Sequence, residues 1–440
     1  MSTMKKSGFK IITLGCKVNQ SESERLAAQL IEAGMSPASS SAAMEICIVN
    51  TCAVTAKAAA QSRQAARRAA RDYPHARTVV IGCDARIEPG VFGEMCGVAV
   101  IDGGARMPEP AALLDLPDDD PRLSPNTPWN KTHLAPGLTP LRQRSRPFLK
   151  VQDGCDAQCS YCIVPKARGG SRSAPLEQVL AGLAGYASAG FKEVVLTGIH
   201  LGAFGRDLNP PLSLDMLLHR ILAADFKFRL RLSSIEPREV SDGVIKLMAE
   251  SDKLCRHLHI PLQSGDDTIL ARMRRPYDRQ TFARVIENVA SQIPDCAIGV
   301  DVLVGFPGET KIAFGQTCEL IESLPVTYLH VFPFSPRPGT PAAKFSGRIA
   351  PEVLKQRCAR MRRLGKAKRF AFYQRFLGRQ VEVLVEGTRD RVDGRLKGVS
   401  DNYLKLTFDG PDQLMNRLVW VRVERLQASG NLLGSVAQIS

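Results

Sequence analysis

The chain has 440 residues, room for roughly two to four domains, and 44% of them are hydrophobic, enough for ordinary buried cores. Its 59 Lys and Arg against 44 Asp and Glu give a formal net charge of +15, a surplus that favours a polyanionic partner, most often nucleic acid. Met1 to Phe9 has no apolar segment of the signal-peptide kind, and no stretch is apolar for the ~18 residues a membrane helix needs. A cytoplasmic protein without a membrane partner is expected. Its 12 cysteines are then read as metal-binding or redox groups rather than a disulfide framework.

In chain order, Phe9–Leu14 is a short apolar strand, and Ser21–Ala33 has helical spacing that stops at Gly34. Ile46–Asn50 and Thr78–Gly82 are further strands, separated by the Ala- and Arg-rich helix Ala56–Arg71. This alternation predicts a small parallel sheet over 8–105. Residues 106–144 contain eight prolines and little periodicity, as expected of a linker. From 145 the α/β alternation returns. Candidate strands are Phe148–Val151, Glu193–Thr197, Phe228–Leu232, Leu258–Pro261, Ala297–Val304 and Tyr328–Phe334. Six such units predict a parallel, partial (β/α) barrel over 145–373, trailed by a basic helical stretch over 351–379. Over 374–440, the short segments Val381–Val385, Arg391–Lys397, Tyr403–Phe408 and Leu418–Leu426 predict a small all-β barrel. The fold class is α/β with that β barrel appended.

Cys155, Cys159 and Cys162 stand at Cys-x3-Cys-x2-Cys spacing directly after the first strand of the larger sheet. Three soft thiolates on one tight loop suit three corners of a four-iron cubane. No fourth cysteine lies nearby, so one iron stays open to chelate S-adenosylmethionine. A structural zinc site is the alternative, but zinc wants closed coordination with a fourth Cys or His. Three unrelated core cysteines are the other.

Cys16, Cys52 and Cys83 each follow a predicted strand of the N-terminal sheet. Open α/β sheets place their sites at such carboxyl ends, so the three are expected to converge and to leave another iron open. Chance placement of single cysteines at strand ends is the competing reading. Cys47, Cys96, Cys255, Cys296, Cys318 and Cys358 show no pattern and are expected to be buried free thiols.

Thr197, Gly198, Ser234, Gln263 and Gly305, at or just past predicted strand ends, are the candidate contacts to S-adenosylmethionine. Gln263 and Ser264 offer hydrogen bonds to a ribose or carboxylate, and Gly305 permits close backbone approach. Plain turn roles compete for these positions. His257 and His259 share a strand face and are expected as satisfied core groups.

These residues resemble the methylthiotransferases, a branch of the radical S-adenosylmethionine enzymes, over nearly the whole chain. The matching segments are Leu14–Gln20, Val49–Thr55, Leu149–Cys155, Leu196–Gly202, His257–Gly265 and His330–Ser335. Within the branch they are most similar to the tRNA N6-threonylcarbamoyladenosine methylthiotransferases. Gly198-Ile199-His200-Leu201-Gly202 and Gly15-Cys16-Lys17-Val18-Asn19-Gln20 are the segments that separate them from the isopentenyladenosine enzymes.

The resemblance implies two 4Fe–4S clusters, a radical one on Cys155, Cys159 and Cys162 and an auxiliary one on Cys16, Cys52 and Cys83. It further implies S-adenosyl-L-methionine as cofactor, a C-terminal TRAM (OB-like) domain over 374–440, and a tRNA anticodon stem-loop as partner. An electron donor such as flavodoxin or ferredoxin is also implied. The implied reaction abstracts hydrogen from C2 of the adenine and installs a methylated sulfur there, on the adenosine 3′ of the anticodon. Its side group carries a carboxylate, for which Arg231, Arg238, Arg256 and Arg337 are available. One departure stands out: after Cys83 the family usually has Tyr-Ala-Gln, and this chain has Asp84-Ala85-Arg86. The rivals are the same chemistry on isopentenyladenosine or on a ribosomal-protein aspartate, and a non-catalytic iron–sulfur RNA-binding or electron-carrying protein.

Overall fold

The computed structural model describes residues 8–38, 44–101, 122–123, 144–428 and 430–439. Of the predicted linker, only Arg122, Leu123 and Arg144 lie among the described residues. The chain forms two compact units. The first takes in Met1–Leu141, Gln152–Gly185 and Ser335–Ala343, and the second Arg142–Val151, Tyr186–Phe334 and Lys344–Ser440.

In the first unit, strands β1 (Gly8–Thr13), β2 (Ser36–Pro37), β3 (Met44–Thr51), β4 (Arg77–Gly82), β5 (Val98–Ile101) and β6 (Arg122–Leu123) pair in the order β2-β1-β3-β4-β5-β6. Every pairing is parallel. A parallel sheet buried on both faces needs a near-continuous apolar strand, and β3 supplies it. Its Ile46 and Ile48 pack with Leu26 and Leu30 of helix α1 (Lys17–Glu32), while Cys47 and Val49 pack with Ala66 and Ala69 of helix α2 (Ala56–Asp72). The Thr55 side chain caps α2 by accepting from the Ala58 amide at 3.1 Å. Helix α1 starts at Lys17, four residues before the predicted start, and β5 and β6 extend the sheet beyond the three predicted strands.

The second unit holds β7 (Phe148–Asp153) up to Val151, with β9 (Glu193–Gly198) and β10 (Arg229–Leu232), in the order β10-β9-β7, while in the first unit β8 (Arg172–Ser173) pairs antiparallel with Gln152 and Asp153. Single parallel bridges join Leu230 to Leu254 and Ser234 to His259. They carry the arrangement on to β11 (His257–His259), β12 (Ala297–Val304) and β13 (Tyr328–Pro333), which are parallel neighbours. The result is the partial barrel. Its crossover helices begin at side-chain caps, with Ser213, Ser241, Asp266, Asp278 and Thr310 each accepting the backbone amide three residues on.

The helix Pro351–Gln374 then leads into a closed barrel of β14 (Gln380–Val385), β15 (Leu396–Ser400), β16 (Lys405–Phe408), β17 (Leu418–Leu426) and β18 (Leu432–Ile439), in the order β14-β15-β16-β18-β17. Phe372, Tyr373 and Phe376 plug this barrel's core. One sequence expectation is corrected. The strand expected at Arg391–Lys397 is β15, displaced to Leu396–Ser400. The segment before it is a polar turn in which Asp390 and Asp393 accept the amides of Val392 and Arg395. Among the described residues, no helix is long and apolar enough to cross a membrane.

Candidate active site

Cys16, Cys52 and Cys83 sit at the carboxyl ends of β1, β3 and β4, which are neighbours in the sheet. Burial pushes the Cys83 thiol up to about 12, with Arg168 opposing the rise and neighbouring Cys16 and Cys52 adding to it. Burial likewise raises Cys52. Gly15 adopts φ +103°, and a Cβ there would fall 2.9 Å from Cβ of Cys52, so the chain needs glycine at this approach. A buried side chain orders each ligand-bearing turn. Asn19 Oδ1 accepts from Cys16 Sγ at 3.4 Å, while its Nδ2 donates to the carbonyls of Leu14 and Thr51. Ser62 Oγ accepts from the Cys52 amide at 3.0 Å. Thr51 Oγ1 accepts from the amides of Asp84 and Ala85, which open the turn of helix Cys83–Ile87.

Cys155, Cys159 and Cys162 lie half-buried on the loop after β7, also in the first unit. That loop is pinned at several points. Cys155 N donates to the Gly169 carbonyl at 3.0 Å, Gly154 N to Asp153 Oδ1 at 2.8 Å, and Ser171 N to Asp156 Oδ1 at 3.0 Å. Gly154 has φ +72°, and a Cβ there would lie 1.9 Å from the Gly170 carbonyl oxygen. None of the twelve cysteines forms a disulfide. Cys96 is exposed, against expectation, because it follows the helix Pro89–Gly93 at the surface. Cys47, Cys255, Cys296, Cys318 and Cys358 are buried.

The substituted pair after Cys83 packs inward. Asp84 is fully buried, 3.3 Å from Arg63 Nε, with Arg337 Nη2 3.6 Å from its other oxygen. Burial raises its carboxyl, and the two arginines oppose that. Arg86 donates to the Ala167 carbonyl at 3.3 Å.

In the second unit, Thr197 and Gly198 end β9, and Ser234 lies just past β10 with its Oγ 3.3 Å from His259 Nδ1. Gln263, at φ +67°, bridges to Val302. Gly305 follows β12 at φ +79°, where a Cβ would meet Leu354 at 2.4 Å. Close packing against the chain's own Leu354 thus requires glycine here. The five positions lie at or just past the carboxyl ends of successive barrel strands, save that Gln263 is four residues beyond β11.

Sequence reasoning passed over Asp301. It lies on β12 within 3.1 Å of His259 Nε2 and 3.3 Å of His330 Nδ1. Burial alone would raise its carboxyl, but the two histidines outweigh that and hold it well below the usual carboxylate range. One acidic residue inside the apolar run Ala297–Val304 was the signal.

Two of the four candidate arginines have other work. Arg231 is fully buried, with Nε and Nη2 on Glu193 and its remaining donors on the carbonyls of Ser400 and Asp401. Arg256 pairs with Asp401 at 2.6 Å. Both fasten the C-terminal barrel to strands of the second unit. Arg238 donates to the Pro276 carbonyl. Arg337 is buried beside Asp84.

Residues 149–321 match the Radical SAM superfamily, and residues 8–101 match the uncharacterized protein family UPF0004. The threonylcarbamoyladenosine tRNA methylthiotransferase MtaB of Bacillus subtilis is 33% identical, across 93% of this chain and 92% of its own. The chain belongs to the radical SAM methylthiotransferases. The MtaB protein of Thermotoga maritima is 35% identical to this methylthiotransferase, covering 96% of the chain and 95% of its own length. A tRNA-2-methylthio-N(6)-dimethylallyladenosine synthase of Parafrankia sp. is 33% identical, over 89% and 81%. Among solved structures, the radical S-adenosylmethionine methyltransferase TsrM of Kitasatospora setae superposes with a TM-score of 0.57 at 15% identity, over 77% of this chain and 74% of its own, a likeness of fold. Radical SAM enzymes use a 4Fe–4S cluster and S-adenosylmethionine, and the three soft thiols of the 154–162 loop, none of them in a disulfide, are a donor set that fits such a cluster.

Proposed function

We propose that this enzyme converts N6-threonylcarbamoyladenosine, on the 3′ side of the anticodon in tRNA, to its 2-methylthio derivative. The observation that carries the reading is the presence in one compact unit of two separate cysteine trios, one on the loop after β7 and one across three adjacent strand ends. In this reading Cys155, Cys159 and Cys162 hold the radical cluster, and Cys16, Cys52 and Cys83 hold a second, auxiliary 4Fe–4S cluster. The donor set at the strand ends fits: three soft thiols, two of them buried, stand at the ends of three neighbouring strands, where a soft iron–sulfur centre is well matched.

When bound, the two clusters supply the electron that cleaves S-adenosylmethionine and the site that holds the sulfur to be transferred. The chain's own part is to orient and to exclude water. Asn19, Ser62 and Thr51 fix the three strand-end turns before anything binds. Thr197, Gly198, Ser234, Gln263 and Gly305 are the proposed S-adenosylmethionine contacts, with Gly305 acting through its backbone. The basic helix Pro351–Gln374 and the C-terminal barrel hold the anticodon stem by phosphate contacts, which position the RNA without reading its sequence. A loop base is splayed out for chemistry more cheaply than a paired one. The enzyme works in the cytoplasm with a small electron carrier of the flavodoxin or ferredoxin kind.

The test is nucleoside mass spectrometry of tRNA from a strain lacking the gene. Loss of the 2-methylthio derivative of threonylcarbamoyladenosine, with its precursor accumulating, is expected. Loss of the isopentenyl derivative instead would assign the other substrate.

A further inference from the structure

Arg168 ends the short helix Val164–Arg168 and is buried, and two of its side-chain partners, Asn19 and Asp153, lead toward a cysteine. Its Nη1 donates to Glu22 Oε1 at 2.9 Å and Asp153 Oδ1 at 3.0 Å. Its Nη2 donates to Glu22 Oε2 at 3.0 Å and Asn19 Oδ1 at 2.8 Å. The same Asn19 oxygen accepts from Cys16 Sγ, and the same Asp153 oxygen accepts from the amide of Gly154, the residue before Cys155. The next residue, Gly169, takes the Cys155 amide on its carbonyl. The same Asn19 side chain donates to the carbonyl of Thr51, the residue before Cys52, at 2.8 Å. One fixed cation thus touches the supports of Cys16, Cys52 and Cys155. Its carboxylate partners come from α1 and from the end of β7, far apart in sequence.

We propose that Arg168 is a positioning residue that sets the charge balance of the strand-end cysteine site and ties that site to the 154–162 loop. This rests on the reading that Cys16, Cys52 and Cys83 hold an iron–sulfur cluster. Such a cluster on three thiolates is anionic, and reduction adds another negative charge. A nearby buried cation stabilises the reduced form more than the oxidised one and raises the reduction potential. The buried carboxylate of Glu22 does the opposite. Burial keeps both effects from being screened by salt. Arginine is needed because its planar fork meets Glu22 bidentately while still reaching Asn19 and Asp153. Lysine keeps the charge and loses that geometry.

The experiment uses the full chain carrying C155A, C159A and C162A, so that only the strand-end site takes iron, reconstituted anaerobically and titrated electrochemically with EPR detection. In this background R168Q is expected to move the midpoint to more negative potential and E22Q to more positive potential. R168K is expected to lie nearer the parent than R168Q does. Shifts of opposite sign separate a charge effect from mere loosening of the fold. A parent that binds no iron sinks the cluster reading and this proposal with it. A parent with its cluster intact, whose midpoint neither R168Q nor E22Q moves, overturns the proposal alone. Should R168Q fail to fold, E22Q decides by itself, a positive shift supporting the proposal and no shift refuting it.

Discussion

Replacing Glu193 by Gln tests how the C-terminal barrel is held within the second unit. Glu193 is completely buried and accepts from Arg229 Nε at 2.7 Å, Arg231 Nε at 2.7 Å and Arg231 Nη2 at 3.2 Å. The same two arginines donate onward to the carbonyls of Val399, Ser400 and Asp401. Burial by itself would raise the carboxyl, but Arg231, Arg229 and Arg146 outweigh it and hold it at about 2 against an ordinary 4.5. That difference corresponds to roughly 3 kcal/mol favouring the ionised, folded state. It agrees with the ~3–5 kcal/mol lost when one partner of a buried pair is removed.

E193Q is therefore expected to lower the melting temperature by roughly 6–12 °C, taking ~2–4 °C per kcal/mol for a unit of this size. The sign with pH follows from a folded-state value below the unfolded one. The stabilisation is whole above about pH 4.5 and is lost as pH falls toward about 2. Wild type should lose this increment across that window, and E193Q should lack it. The assay is thermal melting by circular dichroism from neutral pH downward. A variant that melts with wild type at pH 7 and shares its acid slope would refute the reasoning.

Anaerobic reconstitution should give about eight irons per chain, and about half that number after replacing Cys155, Cys159 and Cys162 by Ala. Stoichiometric zinc would contradict both values. Replacing Cys16, Cys52 and Cys83 by Ala should leave reductive cleavage of S-adenosylmethionine measurable by 5′-deoxyadenosine release while abolishing methylthiolation. Product from that triple variant would separate the strand-end site from sulfur transfer. K405E with R422E, both exposed on the C-terminal barrel, should weaken stem-loop binding several-fold and flatten its salt dependence. An unchanged affinity across a salt series would remove the barrel from RNA binding.

Local pattern carried the elements that position the cysteines. Strands β1, β3 and β4 are short apolar runs with a cysteine just beyond each, and their sheet order could be argued from the alternation with helices. Ala297–Val304 and Leu418–Leu426 were legible to the residue for the same reason. What escaped depends on distant partners. Arg168 meets Glu22 and Asn19 across nearly 150 residues of sequence, and Arg231 meets carbonyls about 170 residues on, so neither role leaves a local signature. Arg231 stands among the four arginines available to the substrate carboxylate because an arginine near a strand end is ambiguous until its partners are known. β18 was missed because Gly434 and Ser435 blur the strand alternation that its barrel neighbours restore.

The central claim is tested most directly by offering the reconstituted enzyme, reductant and S-adenosylmethionine to two anticodon stem-loops. One carries N6-threonylcarbamoyladenosine and the other N6-isopentenyladenosine, and each is followed by mass spectrometry. A methylthio mass gain on the threonylcarbamoyl stem-loop is the predicted result. A gain on the isopentenyl stem-loop alone would contradict it.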